Sequence, residues 1–181
     1  MSVSASRLLD EYLLAAIRAG DRKAFELLGR RWQKKLLVHA WRLLGGDSDA
    51  ARDAVQEGWV EIVAGISRLR DDRAFPAWAY RIVTRRCARQ IDGAVRQRRL
   101  SAAIEAGDEV AGPAEFRPDH DRLRKAIRTL PAEQRAAIGL FHFEDMSVAE
   151  VAVALDARAG TVKTRLMHAR RKLRAAFEGD E

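Results

Sequence analysis

The sequence predicts an all-α protein of two small helical domains joined by a flexible linker, the C-terminal domain containing a helix-turn-helix. Apolar residues recur at helical spacing through most of the 181 residues, and only 4 prolines interrupt them. The period is lost between residues 100 and 121, where Gly107, Gly112, Pro113 and Pro118 occur. We therefore predict an N-terminal domain over 1–99, a linker over 100–121 and a C-terminal domain over 122–181.

Three helices are predicted before the loop SRLRDDR of the first domain. Gly20 ends the first helix, and Asp21 is positioned to cap a second helix that ends at Gly45. Residues 47–49 (Asp-Ser-Asp) can cap a third helix, which runs to about Ile66. The apolar faces assigned to these helices comprise Leu9, Tyr12, Leu13, Ala16 and Ile17, then Phe25, Leu28, Trp32, Leu36, Ala40 and Leu43, then Ala51, Val55, Trp59, Ile62, Val63 and Ile66.

The segment after that loop, from Phe75 to Arg99, mixes aromatic side chains with arginines. Aromatic rings beside guanidinium groups favour single-stranded nucleic acid, because bases stack on the rings while cations follow the phosphates. The alternative is that the rings fill the core and the arginines are solvated. We expect a core role for Trp78 and Ile82 and a functional role for the arginines, because Arg86 and Arg89 are in phase with the buried face.

The C-terminal domain opens with Leu123, Ile127 and Leu130, followed by a helix with Pro131 expected at its first position. Ser147 and Glu150 then have the spacing of a capping box, which predicts a helix start. A short link over 156–159 leads to a last helix from Gly160.

The last helix has an apolar side and a polar, basic side. The apolar side carries Val162, Leu166, Ala169, Leu173 and Ala176, and the polar side carries Thr161, Lys163, Thr164, Met167, His168, Arg171 and Arg174. A short capped helix followed by such a helix is the arrangement that enters a DNA major groove. A surface helix pair with a solvated cationic face is the alternative.

Charge and composition favour a polyanionic partner. The net charge is +7 and the pI about 10.2; residues 1–99 carry +8, residues 100–121 carry −5 and residues 122–181 carry +4. The single Cys87 excludes a disulfide framework and fits a reducing cytoplasm. Neither a signal peptide nor a membrane-inserting run is expected.

No catalytic arrangement is evident in the sequence. The four histidines are dispersed, without a spaced carboxylate or cysteine partner, and no Gly-rich phosphate loop occurs. We therefore expect no enzyme activity, no metal and no cofactor.

Taken in their order along the chain, the motifs of both domains resemble those of the extracytoplasmic function (ECF) sigma factors of bacterial RNA polymerase, which are members of the sigma-70 family. Each motif is weak alone, but their order over this length is specific. The segments that carry the resemblance are AGDRKAFELLGRRW (Ala19 to Trp32), DAVQEGW (Asp53 to Trp59), FPAWAYRI (Phe75 to Ile82), LPAEQR (Leu130 to Arg135), GTVKTRL (Gly160 to Leu166) and ARRKL (Ala169 to Leu173).

The resemblance implies a promoter-specificity subunit that binds core RNA polymerase and promoter DNA, and that an anti-sigma factor can hold inactive. It implies that Asp53, Gln56 and Glu57 contact core polymerase. It assigns opening of the minus-ten element to Arg70, Arg73, Phe75, Tyr80, Arg81 and Arg85. It assigns the minus-thirty-five duplex to the helix-turn-helix, where the candidate residues are Arg158, Thr161, Lys163, Thr164, Arg165, His168 and Arg171.

The chain departs from the family pattern at several positions. Ala50 and Arg52 stand where carboxylates are common, which should weaken docking on a basic clamp. Arg85 replaces an asparagine that often captures a base. Asp156 and Arg158 replace the usual glycine and the usual serine or threonine of the turn, so the last helix lacks an ordinary side-chain cap.

Two other functions are compatible with parts of the sequence. A helix-turn-helix regulator would bind duplex DNA without core polymerase. The predicted polymerase-binding helix, which carries Val55, Gln56 and Glu57, argues against a regulator of this kind. A helical RNA-binding or adaptor module would prefer structured RNA to a promoter duplex.

Overall fold

The computed structural model describes residues 3–100, 123 and 125–178, with side chains over 5–94, 123 and 125–177. In this part of the chain the regular structure is helical, and residues 125–128 are also helical. The N-terminal domain contains α1 (Val3–Arg18), α2 (Arg22–Leu43), α3 (Ser48–Gly65) and α4 (Phe75–Leu100), with short 3₁₀ turns at Ile66–Arg68 and Asp72–Ala74. The C-terminal domain contains α5 (Ala132–Phe143), α6 (Val148–Ala154) and α7 (Ala159–Glu178).

Helix boundaries follow the local signals of the sequence closely. The Asp21 carboxylate accepts hydrogen bonds from the backbone amides of Lys23 and Ala24, and Asp47 caps α3 in the same way. After α2 the chain turns through Gly45 and Gly46, whose φ angles of 71° and 104° suit glycine. Two boundaries differ from prediction: α5 begins at Ala132, with Pro131 one position before it, and α7 begins at Ala159.

The core of the N-terminal domain is built around an aromatic cluster. The Trp32 ring meets the rings of Phe75 and Tyr80 edge to face, with centroids 5.1 and 5.5 Å apart. Leucine and isoleucine side chains of α1, α2 and α3 surround it. Tyr12 and Val63 were assigned to apolar faces by the sequence pattern but are exposed, because the side of each helix that meets the core carries Leu13 and Ile62 instead.

The two domains pack directly against each other. Residues of α2 and α4 contact α5 and α6 across the interface. The Arg42 guanidinium lies 5.4 Å from the Phe143 ring centroid, and Arg128 lies 5.4 Å from the ring of Trp41. Gly139 makes room for Arg42, since a Cβ at Gly139 would lie 2.3 Å from Arg42 Nη1. No spacing or motif in the sequence indicates this contact between the domains.

Over the described residues, none of the helices is both long enough and apolar enough to cross a lipid bilayer.

Candidate nucleic-acid and polymerase interfaces

The helix-turn-helix begins with a complete capping box. Ser147 Oγ accepts from the Glu150 amide at 3.2 Å, and the Ser147 amide donates to Glu150 Oε2 at 2.7 Å. Burial alone would raise the pKa of the Glu150 carboxyl, but hydrogen bonds from Ser147 and from Arg7 lower it. The carboxylate is therefore ionised, as the cap requires, and α6 starts at a fixed residue.

The turn between α6 and α7 contains Asp156 in the left-handed region, with φ of 49°. Aspartate tolerates this conformation better than most residues, which explains how it can occupy a position where the family commonly has glycine. The Ala157 amide donates to the carbonyl of Ala152 at 2.9 Å and closes the turn. At the next junction the Arg158 carbonyl accepts from the Val162 amide at 3.1 Å, so Arg158 takes part in the helix start through its backbone.

Helix α7 buries Val162, Leu166 and Ala169 and presents a polar surface. Leu173 is half-buried, and Ala176, which the sequence pattern assigned to the apolar side, is exposed. Thr164 also donates to its own helix, to the Gly160 carbonyl at 3.1 Å. Of the predicted duplex contacts, Arg158, Thr161, Lys163, Thr164 and Arg171 are exposed, while Arg165 and His168 are half-buried.

Arg165 differs from its exposed neighbours because its guanidinium forms an ion pair with Glu133 of α5. The pair ties the start of α7 to α5. In this arrangement Arg165 supports the position of α7, and it can meet DNA only after leaving Glu133.

The outer face of α3 carries the predicted polymerase contacts. Asp53, Gln56 and Glu57 are all exposed, on the side of the helix opposite the core. Val60 continues the same face at i+7 and is 69% exposed. Val60 was not among the predicted contacts, although its spacing from Asp53 and Gln56 indicates the same helix face.

Arg86 of α4 pairs with two carboxylates of α3, which its position in the sequence does not indicate. Its guanidinium donates to Glu61 Oε2 at 2.8 Å and to Glu57 Oε2 at 3.0 Å. The hydrogen bond to Glu61 is the main cause of its raised pKa. The expectation that Arg86 serves nucleic acid is therefore corrected: it neutralises carboxylates of α3, whereas Arg89 is exposed.

The loop before α4 holds Arg70 and Arg73 at the surface. Arg18 of α1 fixes this loop, because it donates to the Leu69 carbonyl at 2.7 Å and to Asp72 Oδ2 at 3.0 Å. Arg18 was also missed, since nothing in the sequence near it points to a partner 54 residues away.

Phe75 and Tyr80 do not lie where the resemblance placed them. Phe75 is 0% exposed and Tyr80 1% exposed, both packed on Trp32. Burial is the main cause of the raised pKa of Tyr80, and the nearby Glu144 adds to it. Neither ring can stack on a base in this arrangement, so their assignment as DNA contacts is corrected to a core role.

Arg81 and Arg85 of α4 both reach the turn of the helix-turn-helix. Arg81 Nη2 lies 2.7 Å from Asp156 Oδ1, and Arg85 Nε lies 3.2 Å from Asp156 Oδ2. The hydrogen bond from Arg81 is the largest cause of the lowered pKa of Asp156. Two arginines that were predicted to contact the minus-ten DNA therefore form ion pairs with the C-terminal domain in this structure.

No group of three or more histidine, cysteine, aspartate or glutamate side chains among the described residues is arranged to hold a metal ion. His39 and Cys87 are buried, while His120 lies outside the described part of the chain.

Comparison with known proteins agrees with this geometry. The family model "Sigma-70 region 2" matches residues 28–99, and "Sigma-70, region 4" matches residues 120–173. The ECF RNA polymerase sigma factor SigM of Mycobacterium tuberculosis is 36% identical over 168 residues, covering 91% of this chain and 82% of SigM. The chain belongs to the ECF sigma factors.

Further relatives and structures extend the match over both domains. The ECF RNA polymerase sigma-E factor of Escherichia coli is 30% identical over 91% of this chain and 92% of its own. The structure of CnrH in complex with the cytosolic domain of CnrY has a TM-score of 0.63 and 25% identity, covering 96% of this chain and 99% of that one. Bartonella quintana RpoE, in complex with the anti-sigma factor NepR, shares the fold with a TM-score of 0.73 and 24% identity, covering 88% of this ECF factor and 99% of RpoE.

The function is accordingly that of an RNA polymerase sigma factor in transcription initiation. A regulator that acts without the polymerase does not account for a match that includes both sigma regions.

Proposed function

We propose that this sigma factor divides its work between its two domains. Residues 1–99 dock on core polymerase and open the minus-ten element, residues 100–121 link the domains, and residues 122–181 bind the minus-thirty-five duplex. The chain has no catalytic activity of its own and uses no cofactor or metal, since the chemistry belongs to the polymerase. It acts in the cytoplasm, where core polymerase and promoter DNA are found.

The outer face of α3 is the observation that carries the proposal. Asp53, Gln56, Glu57 and Val60 occupy one face of a helix whose opposite face is held in the core. This face fits a partner surface with a basic part, which attracts Asp53, and an apolar part beside it, which covers Val60; Glu57 is available to the same partner when it leaves Arg86. These residues are the proposed contacts with core polymerase.

Arginines at the surface of the N-terminal domain are the proposed contacts with the separated nontemplate strand. Arg70 and Arg73 lie on the loop before α4, and Arg81 and Arg85 lie on α4 itself. Guanidinium groups bind phosphate oxygens in a charge-assisted manner. Phe75 and Tyr80 contribute by holding α4 against α2, which fixes the position of these arginines.

The exposed side of α7 is the proposed duplex-binding surface. Its start carries Arg158, Thr161 and Thr164, close to where a recognition helix contacts base edges. Lys163 and Arg171 are exposed cations suited to phosphate, and His168 and Arg165 lie at the edge of this surface. An anti-sigma factor is a further proposed partner, because RpoE, a neighbour in fold, was crystallised with one.

Reconstituted transcription tests the proposal. Purified chain and core polymerase are expected to give promoter-dependent run-off transcripts from genomic templates. Asp53→Lys should abolish or strongly reduce both the transcript and co-migration with core, since it reverses charge on the docking face. Glu26→Lys, an exposed carboxylate of α2, is the matched control and should leave both unchanged. Absence of promoter-dependent transcripts together with absence of core binding by the unmodified chain would refute the proposal.

A further inference from the structure

Among the residues that the structure describes, the ion pairs between the two domains all have the same polarity. The N-terminal domain supplies the cations and the C-terminal domain supplies the carboxylates in each of the pairs found between described residues. These pairs are Arg7 with Glu150 at 2.9 Å, Lys35 with Glu144 at 2.7 Å, and Arg81 and Arg85 with Asp156 at 2.7 and 3.2 Å. A DNA-binding domain of net positive charge thus turns an acidic edge toward its neighbour.

Asp156 is the centre of this edge. Its two carboxylate oxygens each accept from one arginine, Oδ1 from Arg81 and Oδ2 from Arg85. A phosphate group presents oxygens to guanidinium groups in the same way. Asp156 therefore occupies the position in which the two arginines would hold a backbone phosphate of the strand.

With its two domains in contact, the protein cannot bind the minus-ten and minus-thirty-five elements at the same time. Their names place them about 25 base pairs apart, which is roughly 85 Å of B-form DNA. A compact chain of this length is only about 40 Å across. Residues 101–122, fully extended, can reach up to about 75 Å, so separated domains can cover the span.

We propose that the free sigma factor inhibits itself, with the acidic edge of the C-terminal domain, centred on Asp156, imitating the phosphates of the nontemplate strand on Arg81 and Arg85. This inference rests on the proposed strand-binding role of these arginines. The ion pairs close the domains in the absence of partners, and the strand or the polymerase must displace Asp156 before both elements can be bound. Arg42 stabilises the same interface by packing: its side chain lies against the Phe143 ring and fills the space beside Gly139.

Asp156→Asn, made in the full-length chain, tests whether the Asp156 carboxylate holds the two domains together. Asparagine keeps the left-handed backbone conformation and the side-chain shape but removes the charge. Asp145→Asn is the matched control, because Asp145 is exposed, lies in the same domain and also has a positive φ, of 50°, yet its carboxylate lies outside the interdomain ion pairs. Arg7 binds only the backbone carbonyl of Asp145, which the control retains.

Two measurements are made on each variant. Energy transfer between dyes on cysteines introduced at the exposed Lys23 and Lys172 reports domain closure, without any nucleic acid. The native Cys87 is buried, and burial raises the pKa of its thiol, so the dyes are expected to react with the two introduced cysteines. Fluorescence anisotropy with short single-stranded DNA of mixed sequence reports strand affinity in unlabelled protein at low and at physiological salt.

Asp156→Asn is expected to lower energy transfer and to tighten strand binding by about three- to tenfold, while Asp145→Asn changes neither. If both variants bound the DNA strand more tightly by the same factor, the cause would be a general charge effect and the self-inhibition proposal would be wrong. Unchanged energy transfer in Asp156→Asn would also overturn the proposal. If the strand does not bind to any variant, the proposed strand-binding role is wrong. Energy transfer still decides in that case whether Asp156 closes the domains.

Discussion

Replacing Phe75 with alanine separates the two roles that have been considered for this residue. The ring is fully buried, edge to face with Trp32 and 6.1 Å from the ring of Trp78. Phe→Ala at a buried site costs about 3 to 5 kcal/mol, which includes the lost ring contacts and the cavity left behind. Domains have total stabilities of roughly 5 to 15 kcal/mol, so Phe75→Ala should remove a large part of the stability of the N-terminal domain.

Urea unfolding followed by tryptophan fluorescence measures this loss. All four tryptophans, Trp32, Trp41, Trp59 and Trp78, lie in the N-terminal domain, and Trp41 also contacts Arg128 across the interface, so the signal reports chiefly on unfolding of the N-terminal domain. With a urea dependence of about 1 to 3 kcal/mol per M, the midpoint should fall by roughly 2 M. Phe75→Leu keeps much of the volume and should lower the midpoint less, which provides a folded variant for strand-binding assays.

Arg73, an exposed residue proposed to contact DNA, provides the control for the buried Phe75. Arg73→Ala should leave the free energy of unfolding within about 0.5 kcal/mol of the unmodified chain but weaken binding of single-stranded DNA. The core assignment of Phe75 would be refuted if Phe75→Ala unfolded at the same urea concentration as the unmodified chain while losing strand affinity. That pattern would mean that the ring contacts a base.

Three further outcomes are expected. Carboxylates in place of Ala50 and Arg52 should tighten binding to core polymerase measured by surface plasmon resonance; equal or weaker affinity would contradict the docking face. Arg171→Ala should weaken duplex binding equally across sequences and reduce the slope of log K against log salt by about 1, unlike loss of a base-reading residue. Burial, with Arg42 adding to it, lowers the pKa of His39 from 6.5 to about 3. The unfolded state therefore binds the extra proton, and stability present above pH 6.5 is lost progressively toward pH 3, by up to about 1.4 kcal/mol per pH unit from this group. His39→Gln, which keeps a partner for Thr84, should flatten that dependence in urea unfolding, and an unchanged pH profile would exclude His39 as its source.

Helix starts and stops were predictable from the sequence because the interactions that set them are local. Asp21, Asp47 and Ser147 each satisfy amides two or three residues away, so a short stretch of sequence contains both partners. The buried side of α7 followed from its period in the same way as far as Ala169, whereas Ala176 near the end of the helix is exposed. The exposed polar residues of α3 and α7 were found for the same reason, since a residue on the opposite side of an amphipathic helix faces solvent unless another element covers it.

Phe75, Tyr80 and Arg86 could not be placed by the same reasoning. A buried ring and a ring that stacks on a base have the same sequence signature, an aromatic residue beside arginines. Only the packing of α2 against α4 shows that Trp32 covers both rings. Arg86 is in phase with buried neighbours, and the structure shows that carboxylates of α3 satisfy it.

The sequence by itself determined the helices, their caps, the helix-turn-helix and the two-domain plan, because each depends on residues within a few turns of one another. The tertiary structure decided how the domains meet. Asp156 was visible in the sequence only as an unusual turn residue, whereas its contacts with Arg81 and Arg85 join positions 75 and 71 residues apart. Such a pairing depends on how two folded surfaces fit in shape and charge, and no local spacing in the chain encodes it.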